Sequence, residues 1–153
     1  MKTKIKLQMK PVDTIVNRLG LGSNGDVQMQ ATRIINQRIT RYMPFRTGVL
    51  ATKSKYIKSP TEIEVLSPYA RYMYYGEVMV DPVTRAAGFK DKDGQWKSRK
   101  DVPKVRSGRP IEYDRTTKHP NAGPFWDKRM MAAEGGQIAA EIQTYVDRKA
   151  GKK

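Results

Sequence analysis

Few side chains in this sequence could take part in bond-making chemistry. The chain has one histidine, His119, and no cysteine, which excludes disulfides, thiolate zinc sites and thiol nucleophiles. His119 stands before Pro120 in a predicted turn, and we interpret it as a structural or solvated residue. A hydrolase would have to work with this single histidine, so replacing His119 would test the hypothesis that the chain is a hydrolase. We expect no catalytic residue and no enzymatic activity.

Two segments have weak similarity to loops that bind ions. Asp91-Lys92-Asp93-Gly94 is faintly similar to a calcium loop, but the later acidic ligands are absent and lysines crowd the segment. Gly20-Leu21-Gly22 and Ser23-Asn24-Gly25 are rich in glycine, yet they lack the Lys-Ser/Thr ending and the preceding buried strand of a phosphate-binding loop. We therefore expect no metal ion and no cofactor.

Basic side chains dominate the rest of the chemistry. The 153 residues include 30 Lys and Arg against 15 Asp and Glu, which gives a formal charge of +15. A charge of this size attracts polyanions or acidic protein surfaces without saying which. Nine basic residues fall between 77 and 110, and five of them are our candidate contacts for DNA or an acidic partner: Lys97, Arg99, Lys100, Lys104 and Arg106.

This basic segment leaves two interpretations open. With Phe89 and Trp96 interleaved, it could hold a nucleic-acid backbone and stack on a base. Scattered surface lysines are more often a solvated face, and the sequence has no sequence-reading helix and no RNP-type aromatic motif. Attraction to an acidic partner, or to passing DNA, explains the charge equally well.

The length and hydropathy of the chain limit the number of domains and the kinds of segment that it can contain. A chain of 153 residues suits one domain, which we place at 1–150 with a frayed tail at 151–153. No run approaches the roughly 18 apolar residues that span a bilayer, and the N-terminus lacks the apolar block of a signal peptide. We expect the product to be cytosolic at synthesis and to make no contact with a membrane.

The first third of the chain predicts a strand and a long helix. Ile5 to Met9 alternates with lysines as a strand with one wet face does, and Asp13 to Leu19 predicts a short helical turn. Gly22 to Gly25 is a predicted joint in which Ser23 or Asn24 caps the next helix. From Asp26 to Met43 the apolar residues recur at helical spacing, and Pro44 ends the helix.

A turn and a hairpin are predicted next. Arg46-Thr47-Gly48 is typical of a turn, with Thr47 as a candidate cap for a short following helical turn. Lys53 to Lys58 and Thr61 to Leu66 predict two strands around Ser59-Pro60. In the second strand Ile63 and Val65 share one face, opposite two glutamates.

Ser67 to Glu77 predicts a short aromatic helix. Ser67 can cap it, Pro68 suits the first helical position, and Gly76 supplies the left-handed residue that ends it. The segment holds four of the eight tyrosines, more aromatic surface than one buried stripe of two turns can absorb. Either the helix wedges into the core with its hydroxyls at the solvent edge, or it contacts another subunit. Our candidate interface residues are Tyr69, Tyr72, Tyr74, Tyr75, Phe89 and Trp96.

The remainder predicts a long loop, a strand and a helix. Residues 77–110 have no sustained periodicity and predict a long extended loop or arm, with a small hairpin around Asp93-Gly94 at its tip. Ile111 to Thr116 alternates as a returning strand does. Pro124 begins a predicted long helix in which Gly135-Gly136 marks a bend or a close helix contact. The fold class is α+β, with one antiparallel sheet of about four strands packed by two long helices.

Three motifs stand in a recognisable order: Pro44-Phe45-Arg46-Thr47-Gly48-Val49-Leu50, the Tyr69 to Gly76 segment, and His119-Pro120-Asn121-Ala122-Gly123-Pro124-Phe125-Trp126. This order resembles the small minor capsid proteins of long-tailed bacteriophages, which belong with the neck and tail-completion proteins that join head to tail. The likeness spans roughly Tyr42 to Trp126, and the insertion from Val83 to Arg109 is its least family-like part.

The resemblance implies a non-catalytic virion protein that acts by assembly. It implies two long helices on an antiparallel sheet, with copies arranged as a ring or belt at the head–tail junction and adjacent head-closure and tail proteins as partners. A ring needs one patch that meets a different patch on its neighbour. The aromatic helix and the basic arm are our candidates for those patches, and the alternative is a phage nucleic-acid-binding protein that uses residues 85–109.

Overall fold

The computed structural model describes residues 25–45, 47–115, 118–149 and 151. The predicted strand at Ile5 to Met9, the predicted turn at Asp13 to Leu19 and the two predicted capping residues, Ser23 and Asn24, lie outside the described residues.

A helix is present where one was predicted from Asp26. It is α1, Asp26–Ile39, of 14 residues, and one 3-10 turn, Thr40–Tyr42, extends it towards Pro44. Its buried stripe follows the predicted helical spacing and includes Ala31, Ile35 and Ile39. Gly25 occupies the N-cap position without a side-chain hydrogen bond.

A π-helical turn, Val49–Lys53, begins at the last two residues of the first motif. The predicted Thr47 cap is wrong, because Gly48 precedes the turn and no side chain caps it. Gly48 has a φ of +78°, and a Cβ atom there would lie 2.7 Å from Cε2 of Phe45. The left-handed backbone and the close aromatic ring both require glycine at this position.

The predicted hairpin is confirmed with shorter strands, β1 Lys55–Ser59 and β2 Glu62–Val65, paired antiparallel. Ile63 and Val65 are fully buried as expected. Glu64 is also buried, on the opposite face, where Lys58 lies 3.6 Å from its carboxylate. The hairpin covers α1 and supplies one wall of the core.

The short aromatic helix exists as α2, Ala70–Tyr75. It begins after Pro68, so the prediction of Pro68 at the first helical position is wrong. Ser67 instead caps the preceding turn, since its Oγ accepts a hydrogen bond from the backbone N–H of Tyr69 at 3.2 Å. Gly76 ends the helix with a φ of +74°, as predicted.

Residues 77–110 are more ordered than the predicted long loop. Both ends pair antiparallel as β3 Glu77–Val80 and β6 Val105–Pro110, and the predicted tip hairpin is confirmed as β4 Phe89–Lys90 with β5 Trp96–Lys97. The predicted returning strand at Ile111 to Thr116 is wrong, because the chain pairs through β6 instead and residues 111–115 form no strand.

The last element is α3, Trp126–Lys149, an uninterrupted helix of 24 residues. It starts later than predicted, because Phe125 has a φ of +49° and Pro124 lies in the preceding turn. A bend or a close helix contact was predicted at Gly135-Gly136, and no close helix contact occurs there among the described residues. A Cβ atom at Gly135 would meet only Met131 of the same helix, and one at Gly136 would meet no described atom within 4 Å.

The fold class is α+β, as predicted. Within the described ranges the strands form three separate two-stranded antiparallel sheets, so the predicted sheet of about four strands is not seen there. One hydrophobic core joins α1, α3, the β1–β2 hairpin and α2, and its largest fully buried side chains include Trp126, Ile35, Met43 and Ile138. No described helix is long and apolar enough to cross a membrane.

Candidate interaction surface

The chain divides into a body and an arm. We define the arm as residues 77–110, which include β3 to β6, and the body as the described residues on either side of it. Beyond Val80 the arm has one buried residue, Asp81, and no buried apolar side chain. All of its other apolar residues are half-buried or exposed: Val83, Ala86, Ala87, Phe89, Trp96, Val102 and Val105.

Polar contacts between the two paired strands hold the base of the arm. The carboxylate of Glu77 accepts a hydrogen bond from the backbone N–H of Gly108 at 2.7 Å, and the hydroxyl of Ser107 donates to the carbonyl of Val78 at 2.6 Å. The Arg106 guanidinium lies 3.6 Å from Glu77 and 5.3 Å from the centre of the Tyr75 ring. The base is therefore fastened to α2 of the body.

Asp81 organises the turn that follows β3. Its Oδ1 accepts hydrogen bonds from the backbone N–H groups of Val83 at 2.8 Å and Thr84 at 3.0 Å, and Arg99 approaches the carboxylate at 3.3 Å. These bonds, the one from Thr84 above all, hold the pKa of Asp81 below its ordinary value. The Asp81 carboxylate thus stabilises this turn by polar contacts, in a part of the arm that has no buried apolar side chain.

Asp91 performs the same role at the tip. Its Oδ1 accepts from the backbone N–H groups of Asp93 at 3.0 Å and Gln95 at 2.9 Å, and its other oxygen binds the ammonium group of Lys97. The hydrogen bond from Lys97, followed by those from the backbone, lowers the pKa of Asp91. These contacts close the tip turn, with Gly94 in the left-handed conformation at a φ of +74°.

The two tip aromatics extend into solvent. Trp96 is 69% exposed and Phe89 is 48% exposed, and among the described residues no ring contact joins either one to a tyrosine. Trp96 packs on its own hairpin, because a Cβ atom added to Gly88 would lie 3.2 Å from the Trp96 ring. The structure therefore places the tip aromatics apart from α2.

Most of the predicted basic contact residues are already engaged within the arm. Lys97 binds Asp91, Arg99 binds Asp81, and Arg106 lies between Glu77 and Tyr75. Lys104 donates to the carbonyl of Ala87, while Lys100 is exposed. Four of the five predicted residues thus build the arm, which leaves few of them free to follow a phosphate backbone.

A cavity of about 320 Å³ lies between the Asp81 turn and the segment that returns from the tip. Its walls are mainly apolar, with Ala86, Ala87, Phe89 and Val102 among the lining residues. Arg99 and Lys104 also line it, and both carry positive charge. No sequence pattern points directly to this cavity, but Asp81-Pro82 is typical of a turn and could have located the bend behind it.

The four predicted tyrosines of α2 have different environments. Tyr69 is 67% exposed and Tyr75 is 45% exposed, whereas Tyr72 is half-buried. Tyr74 packs on the core, and its hydroxyl donates to Asp127 at 2.8 Å. Burial and this neighbouring carboxylate raise the pKa of Tyr74. Because the contacts of Tyr74 lie within the chain, we remove it from the candidate interface.

The three motifs that carry the family resemblance meet at one junction of the body. Phe45 lies against His119 with ring centres 4.5 Å apart. Tyr74 lies 5.2 Å from Phe125 and 5.0 Å from Trp126, both edge to face, and the backbone N–H of Phe125 donates to the carbonyl of Tyr74 at 2.9 Å. These contacts fix the orientation of α2 relative to α3.

His119 belongs to this packing. It is 7% exposed, and its Nδ1 lies 2.7 Å from the carbonyl oxygen of Met43. The structural reading of His119 therefore holds. Sequence reasoning missed Glu134, whose carboxylate accepts a hydrogen bond from the Tyr42 hydroxyl at 2.8 Å and also binds Arg38 and Arg41, because these partners lie more than 90 residues away along the chain.

Within the described part of the chain, no three His, Asp or Glu side chains are grouped so that they could hold a metal ion. No protein-family model, no curated protein and no solved structure matches this chain.

Proposed function

We propose that this chain is a structural virion protein of a tailed phage that acts at the head–tail junction as a component of an oligomeric ring or belt. The observation that carries the proposal is the arm, an ordered segment without a core that exposes Phe89 and Trp96. Aromatic residues of this kind are enriched at the centres of protein interfaces. An ordered arm with exposed aromatics is suited to contact a neighbouring protein.

The motif junction gives independent support. The three segments that resemble the minor capsid and neck proteins are far apart in sequence but pack on one another through Phe45, His119, Tyr74 and Trp126. Motifs that pack on one another can share one structural role. Their resemblance as a set therefore carries more weight than three unconnected matches would. The likeness remains the basis for placing the protein in a virion.

In this proposal the arm and α2 are the two different patches of a ring contact. Tyr69, Tyr72 and Tyr75 belong to the first patch, and the tip aromatics belong to the second. The predicted four-stranded sheet with two long helices is kept as part of the proposal for the assembled protein. The adjacent partners are head-closure and tail proteins.

Imaging of particles made without this protein tests the proposal. We expect separate filled heads and finished tails to accumulate, because a missing junction protein blocks their joining. Particles that form and infect equally well without the protein would overturn the proposed role.

A second experiment tests the arm. Residues 82–104 are replaced by a short Gly-Ser link that joins β3 to β6, and the control is Lys53→Gln, which changes an exposed residue of the body and leaves the arm intact. We expect the shortened variant to fold but to fail in completing particles. Normal particle completion by that variant would show that the arm is not an interface.

The nucleic-acid alternative makes a different prediction. It requires the isolated chain to bind DNA with a steep dependence on salt, and to lose that binding when Lys97, Arg99 and Lys100 are changed to Glu. The intrachain partners of Lys97 and Arg99 make this alternative the less supported one. Contact with passing DNA in a lumen would be weak and non-specific, since tight binding would hinder its exit.

A further inference from the structure

We propose that the cavity of the arm docks an acidic segment of a neighbouring protein, with one apolar side chain of that segment inside the cavity and its carboxylates on Arg99 and Lys104. The inference names the chemistry of the partner and rests on the proposed function, in which the arm faces another protein. The ring contact of the proposed function uses the tip aromatics and the tyrosines at α2, and the cavity behind the tip is a further surface of the arm that serves an adjacent protein of different sequence.

The walls of the cavity suit an apolar side chain. Val102 is half-buried and lines the cavity together with Ala86, Ala87 and Phe89. A volume of about 320 Å³ is at the small end of ligand sites. Since the arm has no apolar core beyond Val80, an inserted side chain would supply the apolar contact that the arm lacks.

The charged residues that line the cavity favour a negatively charged occupant. Arg99 and Lys104 are the cations, and Asp81 is the acidic lining residue. The Asp81 carboxylate is already taken up by two backbone N–H groups and by Nη1 of Arg99. A guanidinium has five N–H donors, so Arg99, whose side chain is 47% exposed, keeps donors for an incoming carboxylate.

A second copy of this chain is the weaker candidate for the cavity. Each copy has a formal charge of +15, and the arm itself has nine basic residues against five acidic ones. Like charges at an interface oppose association, whereas a negative segment is attracted and steered to the site. An acidic partner of different sequence therefore fits the cavity better than another copy does.

Nucleic acid is also the weaker candidate. A phosphate backbone is bound by rows of unpaired cations and by aromatic faces. The cavity offers apolar walls and two basic lining residues, Arg99 and Lys104, which suit one short acidic segment better than a continuous row of phosphates. Recognition of acidic motifs by basic side chains beside an apolar pocket is a known mode of peptide binding.

Peptide titrations of the full chain test the inference. The probe is the synthetic peptide acetyl-Glu-Asp-Glu-Leu-Glu-Asp-Glu-amide, followed through the amide NMR signals of Ala86, Ala87 and Val102. We expect saturable shifts confined to the cavity, with a Kd of about 1 mM or tighter. A peptide with Gly in place of Leu, and a peptide with Gln and Asn in place of the acids, should each bind at least about tenfold more weakly.

Two matched variants locate the site. Val102→Glu places a negative charge in the cavity and should weaken peptide binding by about tenfold or more. Val83→Glu adds the same charge on the same arm at a residue that is 75% exposed and does not line the cavity, and it should change binding less than about twofold. Unchanged body signals in both spectra would show that the variants are folded.

Four results would overturn the inference. They are the absence of any shift, equal binding of the uncharged peptide, equal binding of the Gly peptide, and tighter binding of a thymidine oligonucleotide than of the acidic peptide at about 150 mM salt. These failures are distinguishable from failure of the proposed function, because that function is tested by particle completion. Normal particles without the protein, together with specific peptide binding, would remove the virion role and leave the docking site.

Discussion

The body and the arm are held together by different forces. In the body, α1, α3 and the β1–β2 hairpin enclose one apolar core around Ile35 and Trp126. In the arm, the carboxylates of Asp81 and Asp91 accept hydrogen bonds from backbone N–H groups and bind basic side chains, while the apolar residues beyond Val80 are half-buried or exposed. The first arrangement depends on burial, and the second depends on local polar contacts.

This difference predicts how stability is distributed. Removing apolar area from water is the main source of stability in a domain, whereas exposed ion pairs contribute little each. The arm should therefore open locally at a lower free energy than the body unfolds. A segment that opens easily and exposes aromatic rings is suited to become ordered against a partner.

The two tryptophans provide the largest test of this contrast. Trp126 is fully buried against Tyr74, whereas Trp96 is 69% exposed on the tip of the arm. We expect Trp126→Ala to lower the free energy of unfolding by about 3–5 kcal/mol, because it removes a large buried ring and leaves a cavity. Urea denaturation followed by circular dichroism measures this change.

Trp96→Ala is the matched control, since it deletes the same side chain at a surface position. Its effect should stay within about 0.5 kcal/mol. Similar losses from both substitutions would mean that the arm has a core of its own, and the contrast would be lost.

The second test removes a charge from the contact between α1 and α3. Glu134, whose side chain is 13% exposed, binds Arg38 and Arg41 and accepts from Tyr42 at 2.8 Å. We expect Glu134→Gln to lower the free energy of unfolding at pH 7 by about 2 kcal/mol, because it weakens charge-assisted hydrogen bonds between the two helices. Glu141→Gln, at a residue that is 48% exposed, should cost under about 0.5 kcal/mol.

The contribution of Glu134 to the free energy of unfolding should also depend on pH. Burial alone would raise the pKa of Glu134, but the hydrogen bonds from Arg38 and Tyr42 and the nearby charges outweigh it, and the net pKa lies below its ordinary value. A carboxyl group with a lowered pKa stabilises the folded state above its unfolded pKa, and this stability is lost as the pH falls through the folded pKa. The difference in unfolding free energy between the wild-type protein and Glu134→Gln should therefore become smaller in acid. An unchanged difference would contradict the lowered pKa of Glu134.

The third test uses Lys55, which is buried at the start of β1. Its ammonium group donates to Thr40 Oγ1 at 2.5 Å and to the carbonyl of Asn36, and no ion pair to it occurs among the described residues. Burial lowers its pKa from 10.5 to about 8. The unfolded chain therefore binds more protons than the folded chain between these two values, so stability rises with pH there.

We expect this rise to reach about 1.5 kcal/mol between about pH 8 and pH 9.5. The measurement is the difference in unfolding free energy between the wild-type protein and Lys55→Met at each pH, since the tyrosines are common to both. Lys53→Met, at an exposed neighbour, is the control and should follow the wild-type curve. A constant difference for Lys55→Met would show that this lysine is hydrated in the folded protein.

The contrast also explains which parts of the fold were predictable. The α1 helix and the β1–β2 hairpin were predictable because their apolar residues repeat at the helical or strand period, and the tip turn was predictable from Asp93-Gly94. The pairing of β3 with β6 was missed, because neither strand alternates towards a core. The strand predicted at Ile111 to Thr116 shows that alternation alone does not select the pairing partner.

The candidate surface was predictable only in part. The exposed residues Tyr69, Tyr75, Phe89 and Trp96 were identified from their types and spacing. The core position of Tyr74 was not, because it depends on Phe125, whose φ of +49° delays the start of α3 and brings its ring against Tyr74. The cavity beside Val102 was missed, since tertiary contacts between distant segments enclose it.

The smallest effect on the whole protein, and the most specific to the arm, should come from Asp91→Ala. Its carboxylate closes the tip turn through Asp93, Gln95 and Lys97. Removing it should leave the thermal midpoint of the body unchanged but open the tip, because no apolar core supports these strands. Trypsin cleavage after Lys90 and Lys97 should then become at least about threefold faster, as proteolysis follows the population of the open form.

Asp93→Ala is the matched control for this experiment. It removes the same charge from the same turn, but the Asp93 carboxylate accepts no backbone hydrogen bond within the described arm. Its cleavage rate should stay near that of the wild-type protein. If Asp91→Ala instead lowered the midpoint of the whole protein, the arm and the body would unfold as one cooperative unit. The polar contacts at Asp91 would then break in the same cooperative transition as the core, and the arm would have no separate opening step.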